Sequence, residues 1–226
     1  MSPLNLVVVS AGLSQPSSTR LLADRLSEAT RQRLAEDRPV EVRVVELRDL
    51  AVDIAKNLVT GFPSAALREA LEAVTEADGV IAVTPIFTAS YSGLFKSFFD
   101  VIDNTALVGK PVLIAATGGT ARHSLALDHA LRPLFVYLRA IVVPTAVYAA
   151  SEDWGTGGDA RTDGLPTRIA RASGELADLI LRRPAAAKQV DAVIPFEQQL
   201  AALRPWPRAN EEPVAGHRPG HRLLTP

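Results

Sequence analysis

The sequence predicts an α/β fold, a doubly wound sheet of five parallel strands with helices on both faces. Apolar runs of strand length alternate with stretches of helical spacing along most of the chain, which is the pattern of repeated β-α units. Runs such as "GVIAVT" and "PVLIAAT" are apolar throughout, as is typical of strands buried on both faces. At 226 residues, 47% of them hydrophobic, the chain is long enough for one domain with a sizeable core.

Five strands and five helices are predicted in alternation, and hydrophobic periodicity places each of them. The second strand alternates with period two, so it is expected nearer an edge of the sheet. A serine N-cap at Ser64 begins the second helix, and Leu47–Pro63 before it is predicted to be irregular. The predicted strands are Leu4–Ser10, Val40–Glu46, Gly79–Thr84, Pro111–Thr117 and Ile141–Ala150. The predicted helices are Ser18–Asp37, the one from Ser64 to Ala77, Ser92–Asp103, Ser124–Leu138 and Thr167–Arg183.

Composition narrows the class of protein. Residues 1–183 are predicted to form the domain, and residues 184–226, rich in Ala, Pro and Arg, an extended or disordered tail. The net charge of −1 gives no general attraction to nucleic acid or to an anionic membrane. The absence of cysteine excludes disulfides and thiolate chemistry. No apolar run reaches the ~20 residues that span a bilayer, and the N-terminus does not resemble a signal peptide. We therefore expect a cytoplasmic protein.

The loop after the first strand is rich in hydroxyl groups, reading "SAGLSQPSST" from Ser10 to Thr19. In doubly wound sheets, ligands bind outside the carboxyl ends of the strands, and a helix N-terminus binds anions. Because Gly12 is the loop's only glycine, it matches neither a dinucleotide fingerprint nor a triphosphate-binding loop. The loop therefore predicts a site for a monophosphate, such as that of FMN. The alternative is that Ser17 or Ser18 only caps the helix.

The second loop, "TPIFTASYSGLFKSFFD", runs from Thr84 to Asp100. Pro85 is expected to end the strand ladder, so that Ile86 and Phe87 project into the crevice and form a wall for a ligand. Gly93 would let a backbone or a ring approach closely. The helical spacing of Phe95, Phe98 and Phe99 predicts instead that these three side chains lie in the hydrophobic core.

The third loop, "TGGTARHS", begins at Thr117 after the fourth strand. Gly118 and Gly119 would expose backbone N–H groups and leave a flat surface on which a planar ring can lie. A simple tight turn accounts for two glycines equally well, so this loop leaves both interpretations open.

These loops resemble those of the NADPH-dependent FMN reductases of the flavodoxin-like superfamily, and in particular the reductases that supply reduced flavin to two-component monooxygenases. The resemblance rests on "PSST" (Pro16–Thr19), on the second loop, and on "ATGGTARHSLALDHALRP" (Ala116–Pro133). With the order of elements it covers about Leu4–Leu181. It implies a flavodoxin-like fold with strand order 2-1-3-4-5 and an FMN reductase domain over residues 1–183.

The resemblance also implies what the three loops bind. FMN and NADPH would be the cofactors, and no catalytic side chain or metal is expected because the flavin carries the chemistry. Candidates for binding the 2′-phosphate of NADPH are Arg122, Lys96 and Arg20, and the alternative for each is an ordinary solvated charge on a helix. The FMN phosphate would be held by Ser10, Ser17, Ser18 and Thr19. One edge of the isoalloxazine would be lined by Pro85, Ile86, Phe87 and Thr88, and the ring would contact Thr117, Gly118 and Gly119.

The sequence departs from the family pattern at two places. Phe87 stands where many relatives have a tyrosine, so a hydroxyl contact there is lost. Ser14-Gln15 stands where relatives often have an arginine, and the missing charge favours a loosely held flavin. "LALDHALRP" resembles a helix that in some relatives carries one inserted residue and packs across a subunit interface. Such an insertion gives a π-bulge, with His129 at the matching place. The alternative is a surface histidine on a helix kinked by Pro133.

The function implied is hydride transfer from NADPH to N5 of FMN, after which reduced FMN passes to a partner flavin-dependent monooxygenase. We expect a homodimer or homotetramer, and no nucleic-acid or membrane partner. One alternative is a quinone or azo reductase that keeps FMN as a prosthetic group. The other is a non-enzymatic flavodoxin-like electron carrier, although such carriers are usually strongly acidic and this chain is nearly neutral.

Overall fold

The structure is a computed structural model and describes residues 2–155 and 164–183. The predicted tail and the loop residues 156–163 lie outside the described residues. The strands are β1 (Leu4–Ser10), β2 (Val40–Glu46), β3 (Gly79–Phe87), β4 (Ser90–Tyr91), β5 (Pro111–Gly118), β6 (Ile141–Val142) and β7 (Val147–Ala150). The α-helices are α1 (Ser18–Ala35), α2 (Ala51–Thr60), α3 (Ala65–Glu76), α4 (Gly93–Asp100), α5 (Arg132–Tyr137) and α6 (Leu165–Arg182). Short 3₁₀ turns cover Leu47–Leu50, Ala121–His123 and Ser151–Trp154, and Leu127–Leu131 is a π-helix.

The main sheet is parallel, with β2-β1-β3-β5 in order. Both β6 and β7 pair with β5, β6 near its start and β7 near its end, so together they occupy the fifth position. This confirms the predicted fold class and the order 2-1-3-4-5. The short strand β4 is antiparallel to the end of β3.

The fifth predicted strand is broken between β6 and β7. Pro144 has no N–H for the ladder. The guanidinium of Arg132 donates to the carbonyl oxygens of Val143 and Pro144, both at 3.1 Å. The N–H of Thr145 donates to the Glu175 carboxylate at 2.7 Å. Side chains from α5 and α6 thus bind the backbone groups at the break.

The prediction that Leu47–Pro63 is irregular was wrong. This segment forms a 3₁₀ turn and α2, which ends at Gly61 in a left-handed conformation with φ 75°. Only Ile54 of α2 is buried, whereas its Val52 and Val59 are exposed. The apolar residues therefore do not mark one face, and the helical period is hard to detect in the sequence.

The strand β3 continues past Thr84, contrary to the expectation that Pro85 ends the ladder. Pro85 is in register with Thr117 of β5. The carbonyl of Val83 accepts from the N–H of Ala11 on the β1 side, so the backbone nitrogen of Pro85, two residues on, faces that side as well. Since β1 has already ended at Ser10, no hydrogen bond is lost there.

Helices cover both faces of the sheet, as predicted. Alternate residues of β1 point to opposite faces of the sheet. Leu6 and Val8 face α1 and α6, whereas Val7 and Val9 face the other helices. On that second face, the rings of Phe95, Phe98, Phe99 and Phe135 pack with centroids 4.8–6.2 Å apart. The three phenylalanines of α4 are buried, which confirms their placement in the core.

The predicted helix Ser124–Leu138 is instead two pieces, the π-helix Leu127–Leu131 and α5, and the 3₁₀ turn Ala121–His123 precedes it. The N–H of Arg132 bonds to the carbonyl of Leu127, five residues back, which is the spacing of a π-helix. Pro133 is the second residue of α5 and has no N–H to donate to the turn before it. The π-helix agrees with the inserted residue that the resemblance implied, and the side chain of His129 is exposed.

Among the described residues, no helix combines the length and the apolar character needed to cross a membrane.

Candidate functional site

Three neighbouring strands bring the three predicted loops to one edge of the sheet. Ser10 at the end of β1 is in register with Val83 of β3. Two residues further along β3, Pro85 is in register with Thr117 of β5. The loops that follow β1, β3 and β5 therefore leave the sheet side by side, as the predicted site requires.

The loop after β1 meets the N-terminus of α1. Ser17 is the N-cap, and its hydroxyl accepts from the N–H of Arg20 at 3.2 Å. Gly12 lies close beneath this cap, because a Cβ at Gly12 would stand 2.2 Å from the Ser17 hydroxyl oxygen. Ser18 is exposed at the start of the helix, and no acidic residue occupies the first turn. The N-terminal N–H groups of an 18-residue helix are thus free of a competing carboxylate.

Ser10 is fully buried, and its hydroxyl has no hydrogen-bond partner among the described residues. Residues of β1 alternate between the two faces, so Ser10 lies on the same face as Val8, which packs with α1. A buried hydroxyl without a partner costs about 1–3 kcal/mol. Its position between the end of β1 and the start of α1 fits a ligand oxygen that supplies the missing partner.

Thr19 and Thr117 join the first and third loops. Their hydroxyl oxygens are 2.8 Å apart, and the side chains are 2% and 3% exposed. Thr117 lies on the α1 face of β5, together with Leu113 and Ala115. Sequence reasoning placed both threonines in the site, and the structure brings them into direct contact.

The loop after β3 is a tight hairpin into β4. Ile86 is half-buried and packs against the core, whereas Phe87 is 47% exposed. The turn residues Thr88 and Ala89 have φ angles of 48° and 68°, a left-handed conformation that is strained for residues with a Cβ. A two-residue hairpin turn requires this conformation at both central residues, and strained residues of this kind cluster at ligand-binding sites.

A hydroxyl at the end of β3 ties this hairpin to α4. Thr84 donates to the carbonyl of Pro85 at 2.9 Å and accepts from the N–H of Ser92 at 3.1 Å. Ser92 in turn caps α4 by accepting from the N–H of Phe95. The hairpin is therefore fixed at its base while its tip, with Phe87, stays open to solvent.

The two glycines after β5 differ in their surroundings. A Cβ at Gly118 would stand 2.0 Å from the hydroxyl oxygen of Tyr148, whereas a Cβ at Gly119 would meet nothing within 4 Å. The Tyr148 hydroxyl donates to the carbonyl of Thr120 at 2.9 Å. Burial, and next the charge of Asp153, raise the pKa of Tyr148. One glycine thus allows the loop to pack on Tyr148, and the other leaves an open surface.

Of the cations proposed for a coenzyme phosphate, two are already paired. Arg20 binds Asp24 at 2.7 Å and Glu46 at 2.6 Å, and these hydrogen bonds, that to Asp24 first, raise its pKa. Lys96 forms an ion pair with Asp100. Arg122 is exposed in the loop after β5 and has no ion pair within the described ranges.

Two residues of the site region were missed by sequence reasoning. Tyr148 orders the loop after β5, and Arg48, just beyond β2, reaches the loop after β1, where it donates to the carbonyl of Ser14 at 3.3 Å. Neither lies in a recognisable motif. The signal available was topological, because the end of β2 lies beside the end of β1 and the end of β7 beside the end of β5.

Comparisons with known proteins show what the chain is similar to. Residues 4–155 match the family model described as NADPH-dependent FMN reductase. An FMN reductase (NADPH) from Pseudomonas aeruginosa is 42% identical over 153 residues, 68% of this chain and 80% of the relative. An NADH-dependent FMN reductase, SfnF, from Pseudomonas fluorescens is 40% identical over 152 residues, 67% of this chain and 79% of the relative.

Two solved structures are also similar. An oxidoreductase from Corynebacterium diphtheriae has a TM-score of 0.77 and 48% identity, covering 81% of this chain and 100% of that one. An NADH:FMN oxidoreductase (EMOB), solved in its apo form, has a TM-score of 0.63 and 29% identity, covering 80% of this chain and 90% of that one.

Proposed function

The chain belongs to the NADPH-dependent FMN reductase family and is an NAD(P)H:FMN oxidoreductase, and we propose that it binds FMN at the loops following β1, β3 and β5. The main observation that supports this site is the buried hydroxyl of Ser10, which has no partner among the described residues and lies beside the N-terminus of α1. A phosphate there would accept from Ser10 and from the first N–H groups of α1. The phosphate-binding set proposed is Ser10, Ser17, Ser18 and Thr19.

The ring is proposed to lie between the second and third loops. The open surface at Gly119 and the half-exposed Phe87 support this placement. The residues proposed to contact the ring are Pro85, Ile86, Phe87, Thr88, Thr117, Gly118 and Gly119. When bound, FMN accepts a hydride at N5 from the nicotinamide. The protein therefore needs to bind and orient two flat molecules, and no side chain of the site is required as an acid or base.

The site is proposed to use FMN as a diffusible substrate, with reduced FMN released to a flavin-dependent monooxygenase. Residues 13–16 of the first loop and Phe87 of the second are exposed, so no lid within the described residues closes over the site. The resemblance to reductases that supply two-component monooxygenases also supports the release of reduced FMN to a monooxygenase. A homodimer or homotetramer is also proposed, supported by exposed apolar side chains beside the π-helix, Val136, Tyr137 and Ile141.

NADPH is the proposed coenzyme, with Arg122 binding its 2′-phosphate. The two Pseudomonas relatives are named for different coenzymes, so the choice depends on residues of this chain. Arg122→Ala is expected to lower kcat/KM for NADPH about tenfold, the effect of one lost charge-assisted hydrogen bond, and to leave NADH unchanged. Steady-state kinetics with both coenzymes tests this, with Lys96→Ala as the paired-cation control. Comparable kcat/KM for NADPH and NADH in the unmodified protein would contradict the proposal.

One anaerobic experiment tests the function itself. The purified protein is inspected for yellow colour, and NADPH absorbance is then followed with and without free FMN. We expect a colourless protein that oxidises NADPH only after FMN is added. A yellow protein that reduces quinones without added FMN would instead be a prosthetic-flavin reductase. A third outcome is bound flavin that a separate reductase bleaches and NADPH alone does not. That outcome would indicate an electron carrier.

A further inference from the structure

Arg48 connects the end of β2 to the loop after β1. Its Nη1 donates to the carbonyl oxygen of Ser14 at 3.3 Å. With the amide of Gln15 oriented so that its oxygen faces the guanidinium, that oxygen lies 2.9 Å from Nη1 and 2.5 Å from Nη2. The guanidinium thus contacts two successive residues of the loop between Ser10 and Thr19.

Arg48 brings a positive charge to this loop from the segment after β2. The loop from Ser10 to Thr19 contains no lysine or arginine, although a flavin phosphate carries negative charge. Arg20, at the start of α1, is neutralised by Asp24 and Glu46. Arg48 is 23% exposed, and its acidic contact is the 70% exposed Asp49, 3.4 Å from Nε. An ion pair with so exposed a carboxylate is weak, so most of the positive charge remains available to the loop.

We propose that Arg48 is a positioning residue for FMN, holding the loop after β1 in the conformation that presents its hydroxyls and N–H groups to the phosphate. The proposal rests on the flavin site proposed above. The register of the sheet provides the geometry, because Ser10 pairs with Glu46 and the turn after β2 therefore starts beside the loop. A forked guanidinium can hold two neighbouring acceptors at once, which a lysine ammonium cannot do with the same geometry.

The effect should depend on the phosphate of the ligand. Arg48→Ala is expected to weaken FMN binding about tenfold and to leave the affinity for riboflavin, which has no phosphate, within about twofold. Arg48→Lys should restore part of the loss, since it returns the charge without the fork. Gln15→Ala, which removes one acceptor from the loop side, should give about a threefold loss because the Ser14 carbonyl remains.

The test is a titration of each flavin against each protein, followed by quenching of flavin fluorescence. Arg43→Ala is the matched control, because Arg43 lies on β2, the strand that leads into Arg48, but pairs with exposed Glu69 at 2.7 Å. Thermal unfolding without flavin verifies that the variants fold.

A loss confined to FMN in Arg48→Ala, with a smaller loss in Arg48→Lys, supports the proposal. Equal losses for FMN and riboflavin, or unchanged FMN binding, would overturn it while leaving the flavin site in place. If the unmodified protein bound no FMN, the proposed flavin site would fail first and this proposal with it.

Discussion

Ser10 shows at the scale of one residue how a binding site differs from a core position. In the described part of the chain, the buried side-chain atoms without a partner are Ser10 Oγ, Arg38 Nε and Asn57 Oδ1. Arg38 lies before β2 and Asn57 on α2, so of the three only Ser10 stands at the edge where β1, β3 and β5 end. A buried hydroxyl that lowers stability in the free protein is explained if a ligand provides its partner.

Replacing this serine should separate binding from stability. For Ser10→Ala we expect the free energy of unfolding to stay unchanged or rise by up to about 1 kcal/mol, because an unpaired buried hydroxyl is removed. The Kd for FMN should rise about tenfold, the effect of one hydrogen bond to a charged group. Urea unfolding and FMN titration measure the two quantities.

A second buried serine is the control for this prediction. Ser27 on α1 donates its hydroxyl to the carbonyl of Asp24 at 3.0 Å, so Ser27→Ala should cost about 1 kcal/mol with FMN affinity unchanged. A Ser10→Ala protein that lost stability and bound FMN normally would show that Ser10 has only a structural role.

The two glycines of the third loop predict opposite outcomes for the same change. Gly119→Ala adds a methyl group to open space, so we expect unchanged stability but weaker FMN binding, by about three- to tenfold, if the ring lies there. Gly118→Ala forces Tyr148 to move and should lower stability by about 1–3 kcal/mol. Thermal unfolding and flavin titration of both variants provide the measurement. Normal FMN affinity in Gly119→Ala would place the ring elsewhere.

At the scale of elements, a buried lysine connects β5 to α3. Lys110, immediately before β5, is 3% exposed. Its Nζ donates to the carbonyl oxygens of Thr75 at 2.7 Å and of Ala77 at 2.8 Å. The last turn of α3 contains no basic residue of its own, so the carbonyls at its end are bound by Lys110 from the start of β5.

This lysine should make stability depend on pH. Burial, and next the charge of Arg183, lower the pKa of Lys110 from 10.5 to about 8. Between these values the unfolded chain binds more protons than the folded one, so the free energy of unfolding should increase with pH. We expect an increase of about 2 kcal/mol from pH 8 to 9.5, which is absent in Lys110→Met.

The comparison is made by urea unfolding of both proteins at pH 7 to 9.5. The upper limit avoids the titration of Tyr148, whose raised pKa acts in the opposite direction above its ordinary value of 10.0. Parallel pH profiles for the two proteins would show that Lys110 titrates normally.

The elements also show which parts of the structure can be predicted from local sequence. The strands of the sheet centre were correctly placed because apolar runs of that length have few alternatives. Ser10 and Thr117 stand at the ends of such strands, whereas Thr19 lies in the first turn of α1. Pro144 is a local signal of the break before β7, but the contacts of Arg132 and Glu175 that bind the backbone there come from other elements and could not be predicted. Arg48 was missed for the same reason, since its role comes from the pairing of β1 with β2 and from no local pattern.

At the scale of the whole molecule, the proposed site draws on three adjacent strands of one sheet. The ends of β1, β3 and β5 lie between helices on both faces, and the Thr19–Thr117 contact joins the first loop to the third. A ligand held by all three loops contacts parts of the chain that are more than 100 residues apart in sequence, from Ser10 to Gly119. The unfolded chain cannot form such a site, so binding should stabilise the fold as a unit.

This coupling predicts a thermal stabilisation that distinguishes FMN from riboflavin. A ligand at 100 times its Kd adds about 2.7 kcal/mol to the free energy of unfolding, and in a protein of this size each kcal/mol raises Tm by about 2–4 °C. We therefore expect FMN to raise Tm by about 5–10 °C at that concentration. Riboflavin at the same concentration should raise it less, because it makes no contact with the first loop. Equal increases would mean that the phosphate adds nothing to binding, and that the hydroxyl-rich loop after β1 only caps α1.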